Sequence, residues 1–349
     1  MARSLSVLAL ALALAAASAA APVPVSPNAS PEAVALLDYL HEVSGTHTLA
    51  GQHCAPQLGS TRLSVVHRRT QRYPAVFGQD FGFSYPGYWD GINYRQRIVD
   101  EAILRHRDGF VITIMWHAVP PTMDEPVEFA DGIQSDLTEA EWEALVTPGT
   151  DLNERWQSQV DVIAFFLKQL RDADVPVLWR PYHEMNGGWF WWGQKPGDDG
   201  YKRLWRMLFD RLTAFHGLNN LIWVYNTNEV KEGVDAHAAY YPGDDVVDVL
   251  ATDVYTEGFN TMNYETLLDL AGEKPIALGE VGAPPSLEVL DAQPRWAWFM
   301  QWGEPGPGGG GPEGFRSFLS TYASGRVLTL EELPWVDTEA VRHHYPIVR

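Results

Sequence analysis

Eight short runs of β-branched and aromatic apolar residues recur along the chain, separated by longer stretches with helical spacing. The runs are Thr46–Gly51, Ala75–Asp80, Phe110–Trp116, Val175–Arg180, Leu221–Tyr225, Val246–Thr252, Pro275–Gly279 and Trp296–Gln301. Near-continuous apolar runs of this kind are strands buried on both faces, and buried parallel strands need helices between them. Helical spacing is clearest at Glu154–Asp172, where Trp156, Val160, Ile163, Phe166, Leu167 and Leu170 recur on one stripe, and at Lys202–Phe215. Eight such βα units close into a (β/α)8 TIM barrel, and no repeat or internal linker divides them, so a single domain over 22–349 is expected.

The first residues stand outside that pattern. Arg3, the apolar run Leu5–Ala17 and the small residues Ala19, Ala20 and Ala21 before Pro22 have the order of a secretory signal, so residues 1–21 are expected to be removed and the protein secreted. No later run approaches the roughly 20 apolar residues that a membrane-spanning helix needs. With 46% hydrophobic residues the remaining chain can build a large core, and its single cysteine, Cys54, cannot form an intramolecular disulfide. The formal charge of -20 repels nucleic acid and anionic lipid. Fourteen Trp, fourteen Tyr and fourteen Phe instead suit a neutral ligand with apolar faces and polar edges.

In a parallel barrel the chemistry sits where the strands end. The residues there are Gln52 and His53, Asp80, His117, His183 and Glu184, Asn226, Tyr255, Glu280, and Trp302. Glu184 and Glu280, far apart in sequence, can face each other across the mouth, and two opposed carboxyls are what glycoside hydrolysis requires. Glu184, beside Trp189, Phe190, Trp191 and Trp192, is the better acid because an apolar wall favours its neutral form. Arg180 can reach a nearby carboxylate, and Tyr255 can donate its hydroxyl to Glu280 and keep it ionised and oriented. His117 and His183 can grip sugar hydroxyls, while Trp189 and Trp302 offer faces on which a pyranose stacks. The remaining aromatics after Glu184 are expected to complete a dry wall, with Gly187 and Gly188 allowing a sharp turn. Trp156, Trp205 and Trp223 read as core. His183-Glu184 begins like H-E-x-x-H, but Gly187 stands where the second His belongs, so no metal or cofactor is expected.

These residues carry a resemblance. "RPYHEMNGGWFWWG", Arg180 to Gly193, resembles the acid/base motif of glycoside hydrolase family 26, the β-mannanases of the large retaining (β/α)8 clan. Gly279-Glu280 is similar to that family's nucleophile motif, and "VLTLEELP", Val327 to Pro334, to its C-terminal segment. The resemblance implies an endo-β-1,4-mannanase acting on mannan, galactomannan or glucomannan, and a monomer is expected. It implies Glu184 as acid/base and Glu280 as nucleophile, with carboxyls roughly 5 to 5.5 Å apart for a retaining enzyme. It further implies that His183 contacts the sugar preceding the cleaved bond, where most clan members have Asn, and that His117, Trp189, Tyr255 and Trp302 shape the same subsite. The chain departs from the family at Gly78-Gln79-Asp80, where the family often has Gly-His-Asp, and the role of Asp80 stays open. β-1,3-Xylanase or mixed-linkage β-glucanase activity, exo-acting mannan cleavage, or a non-catalytic carbohydrate-binding barrel, are the alternatives. Glu304–Gly314, unusually rich in glycine, is either a mobile cover over the cleft or a disordered insertion.

Overall fold

The computed structural model describes residues 22–337 apart from 57–58, 83–90 and 257, so the expected leader at 1–21 lies outside the described residues. Its strands are β1 (Thr48–His53), β2 (Val76–Asp80), β3 (Val111–Trp116), β4 (Val177–Pro181), β5 (Leu221–Asn228), β6 (Val249–Val254), β7 (Ile276–Val281), β8 (Trp296–Gln301) and the short β9 (Val327–Leu328). Each of β1 to β8 runs parallel to the next, and β8 pairs with β1 through Leu49–Gln52, which closes the barrel. β9 lies against the start of β1, at Thr48 and Leu49, below the point where β2 begins to pair. The eight expected strands are therefore all present, and every residue in them is buried, as strands covered on both faces must be.

The helices are α1 (Pro31–Val43), α2 (Thr61–Thr70), α3 (Gly91–Arg107), α4 (Glu139–Val146), α5 (Asp151–Asp172), α6 (Tyr201–Asp210), α7 (Thr261–Ala271), α8 (Leu287–Ala292) and α9 (Gly311–Ala323). Among the described residues none is long and apolar enough to cross a membrane. α5 starts three residues before the expected Glu154, because the Thr150 hydroxyl accepts from the Asn153 amide and sets the cap there. Its buried stripe holds Trp156, Val160, Ile163, Leu167 and Leu170, whereas Phe166 is half-buried. The helix expected over Lys202–Phe215 is α6 continued by a π-turn, Arg211–Phe215, which buries Leu212 and Thr213 and leaves Phe215 exposed. Trp156, Trp205 and Trp223 are core, as read. Cys54 is buried directly behind β1.

β1, β4, β6 and β7 run one or two residues past their expected ends and β5 three, and the differences at β5 and β7 bear most on the mouth. β5 runs three residues past Tyr225, because Asn226, Thr227 and Asn228 pair with β6 although they are polar. Glu280 lies inside β7 rather than after it. The Gly-rich segment is held instead of forming a disordered insertion. Gln301 at the end of β8 donates to Gly306 O at 2.6 Å and accepts from Gly306 N at 3.1 Å. Arg69 also binds Pro305 O, and the segment then runs into α9.

Candidate active site

The ends of β4, β5, β6 and β7 converge on one guanidinium. Arg180, fully buried on β4, donates through Nε to Asn226 Oδ1 at 2.9 Å. Its Nη2 reaches Asp253 Oδ1 at 3.3 Å and Glu280 Oε1 at 3.2 Å. The other oxygen of Glu280 accepts from the Tyr255 hydroxyl at 2.6 Å. Burial and then the facing Glu280 push the Tyr255 hydroxyl well above its ordinary range, so it keeps its proton and donates. Both oxygens of Glu280 thus have donors, the contacts expected of Arg180 and Tyr255. The strands can approach this closely only because Gly279 has no side chain: a Cβ there would stand 1.7 Å from Asn226 Oδ1.

Glu184 lies across from this group. Its Oε1 accepts from Asn228 Nδ2 at 2.6 Å and its Oε2 from the Trp189 indole N–H at 2.7 Å. Burial, followed by the charge of Glu280, pushes its carboxyl up to about 7 against the pull of those two donors. The sequence expectation of a neutral-leaning Glu184 holds, and the apolar wall is only part of the cause. Its backbone is left-handed, at φ 55°, and is held there by a hydrogen bond that its amide donates to Asn226 O at 2.8 Å.

A second cluster borders the two carboxyls. His117 Nδ1 lies 2.6 Å from Asp80 Oδ2, and the His117 amide donates to Asp80 Oδ1 at 3.2 Å. Burial opposes charge on both groups, yet each stabilises the other: the Asp80 carboxyl is held below its usual value and His117 above. Asp80, open at the sequence level, therefore orients His117. The His183 ring meets His117 edge-on with centroids 4.5 Å apart, and its Nε2 lies 3.8 Å from Glu280 Oε1. Burial, then His117 and Arg180, push His183 well down toward its neutral form, whereas His117 beside it is held above the ordinary histidine value. Trp302, half-buried, stacks on His53 at 3.8 Å and 23° and stands 6.3 Å from the His117 ring.

All seven expected site residues, His117, His183, Glu184, Trp189, Tyr255, Glu280 and Trp302, meet at this mouth. The stretch after Glu184 differs in detail. Trp191 and Trp192 are wholly buried, and their indoles donate to Ala118 O and His183 O at 2.8 Å each, so they brace the loop from behind rather than line a wall. Neither Gly187 nor Gly188 has a positive φ; the left-handed residues are Tyr182, Glu184 and Gln194. Glycine is needed at 187 because the Trp189 ring folds over it, 2.1 Å from where a Cβ would stand. His183, Asp253 and Glu280 bring potential ligand atoms within 4.8 Å of one another, but the Arg180 guanidinium already bridges two of those carboxylates. Asn228 and Asp253 were missed by the sequence reading, and Asn226 was noted without a role. The alternation in Asn226-Thr227-Asn228 and in Asp253-Val254-Tyr255, which puts i and i+2 on one face, is the signal that points to them.

A closed parallel (β/α)8 barrel with two interacting carboxyls at its C-terminal mouth, one driven toward its neutral form, defines a glycoside hydrolase. The model of "Glycosyl hydrolase family 26" matches residues 25–306, and the chain belongs to that family. It is 37% identical over 324 residues to a mannan endo-1,4-beta-mannosidase of Thermothelomyces thermophilus, an alignment covering 90% of this chain and 64% of that protein. Among solved structures, GH26A from Muricauda sp. is 42% identical with a TM-score of 0.82, covering 88% of this chain and 99% of that one. The Podospora anserina GH26-CBM35 beta-(1,4)-mannanase is 34% identical with a TM-score of 0.76, covering 90% of this chain and 69% of that one. The chain thus spans under two thirds of the Thermothelomyces protein's length.

Proposed function

We propose that the protein is a secreted endo-β-1,4-mannanase that hydrolyses mannan, galactomannan or glucomannan by double displacement with retention. Glu280 attacks the anomeric carbon while Glu184 gives its proton to the departing glycosidic oxygen, leaving a covalent glycosyl-enzyme. Glu184, now ionised, takes a proton from water, whose oxygen displaces Glu280 and restores the original configuration. His183 and His117 hold hydroxyls of the sugar beside the cleaved bond, and Trp189, Tyr255 and Trp302 face its ring. Every group the reaction needs comes from the chain. The observation that carries this reading is the unequal treatment of the two carboxyls: Glu280 is aimed by Arg180 and Tyr255, and Glu184 is pushed toward protonation by burial and by Glu280. The mannanase activities of the Thermothelomyces and Podospora relatives support mannan as substrate.

The test is a reducing-sugar assay on galactomannan, glucomannan, mixed-linkage β-glucan and β-1,3-xylan, with NMR of the earliest product. Release from the mannans with the β-anomer appearing first is expected. Release from only the last two polymers moves the substrate, an α-anomer first removes retention, and binding without release removes the enzyme.

A further inference from the structure

Glu229 follows β5 directly and its side chain is fully buried. Its Oε1 accepts from the Tyr255 amide at 3.2 Å, the Thr256 amide at 2.7 Å and the Thr256 hydroxyl at 2.8 Å, with Lys231 Nζ 3.4 Å away. Its own amide donates to Asp253 O at 2.9 Å. These bonds fall where β6 stops being held by its neighbours. The β6–β7 register slips between Thr252 and Asp253, and Tyr255 and Thr256 lie beyond the last residue of the strand. Backbone amides past the end of a ladder need another acceptor, and an ionised one binds them about twice as strongly as a neutral one. The Tyr255 side chain is otherwise lightly held. The residue is 43% exposed, and its ring rests over Gly282, where an added Cβ would stand 3.5 Å away.

We infer that Glu229 is a positioning residue for the proposed reaction: by pinning the Tyr255–Thr256 backbone it sets the reach of the Tyr255 hydroxyl to Glu280 Oε2. It touches neither substrate nor a reacting atom. The inference rests on Glu280 being the nucleophile. Asn228, the residue before, binds Glu184, so two consecutive residues at the end of β5 serve the two carboxyls. Without Glu229 the Tyr255 hydroxyl loses its fixed origin and Glu280 loses one of its two aiming donors. The attack slows, while the groups on β3, β4 and β8 that face the sugar stay in place.

The experiment is a double-mutant cycle on the full chain with Glu229→Ala, Tyr255→Phe and both together, assayed on galactomannan and on an aryl β-mannoside, with thermal melts alongside. Glu229→Ala is expected to lower kcat about tenfold to a hundredfold with KM within about threefold, and to cost less than about twofold in the Tyr255→Phe background. Glu229→Gln, which keeps an acceptor oxygen for the two amides, should recover most of the loss. If Glu229→Ala does not fold, Glu229→Asp, which draws the acceptor back by one methylene, takes its place in the cycle. Equal losses in both backgrounds, an unchanged kcat, or a loss confined to KM overturns the inference. A wild-type protein that releases sugar from none of the polymers overturns it together with the reading it rests on; an active wild type with an additive cycle overturns it alone.

Discussion

Glu184 and Glu280 are the same residue type in opposite surroundings, and the difference can be read out separately for each. With an aryl β-mannoside whose phenolate leaves unaided, Glu184→Ala should form the glycosyl-enzyme and then stall, because no base remains to activate water. Azide needs no base, so adding it should restore turnover and give the β-mannosyl azide, whereas Glu280→Ala should give the α-azide or nothing. The anomers the other way round would reverse the two roles. The donors on Glu184 give a second readout. With its carboxyl near pH 7, activity should fall as pH rises through that value and the proton for the leaving group is lost. Asn228 Nδ2 stabilises the ionised form, so Asn228→Ala should favour the protonated form and move the basic limb of kcat/KM to higher pH. A basic limb that stays or moves down in that variant would mean that Glu184 does not set it.

At the level of elements, the strands were legible and their ends were not. A strand buried on both faces is apolar throughout, so eight apolar runs found eight strands. An apolar run records burial, not pairing, and it stops at Tyr225 although β5 continues through Asn226 and Asn228 on hydrogen bonds. Those polar residues stay buried because Arg180 and Glu184 use them, and that satisfaction is invisible in one segment read alone. Trp191 and Trp192 were misread for the same reason: proximity in sequence to Glu184 says nothing of which side of the loop a ring faces. The cap of α5 shows a simpler case. Thr150 caps that helix, also binds Ala144 O, and Asn153 Nδ2 donates to Leu145 O at 2.8 Å, so α4 and α5 are joined at one corner. Thr150→Ala should cost about 1 kcal/mol in a denaturant melt. Because the corner lies outside the catalytic cluster, kcat/KM should hold, and a matching loss of activity would show that the corner reaches the mouth.

For the whole molecule, closure of the barrel is reinforced by chain that follows β8. β9 adds to β1, Leu330 N donates to Tyr73 O at 2.9 Å, and the Trp335 indole donates to Gly109 O at 2.9 Å. Val327, Leu330 and Leu333 are buried there, each contributing about 1.5 to 3 kcal/mol. Ending the chain at Arg326 should therefore lower the calorimetric Tm by more than about 5 °C. A truncated protein that melts within about a degree of the full chain would show this segment to be an accessory. The seam on the other side of β1 carries a different opportunity. Cys54 is fully buried there, its amide donates to Gly78 O at 2.9 Å across to β2, and burial pushes its thiol up to about 12. A shielded, protonated thiol meets a disulfide reagent only when the chain packed around it parts. The chain's single cysteine is thus a built-in clock: its labelling rate times the opening of the packing between the end of β1 and α2, whose Leu63 amide faces the thiol, and a bound oligosaccharide that stiffens the mouth would slow the ticking.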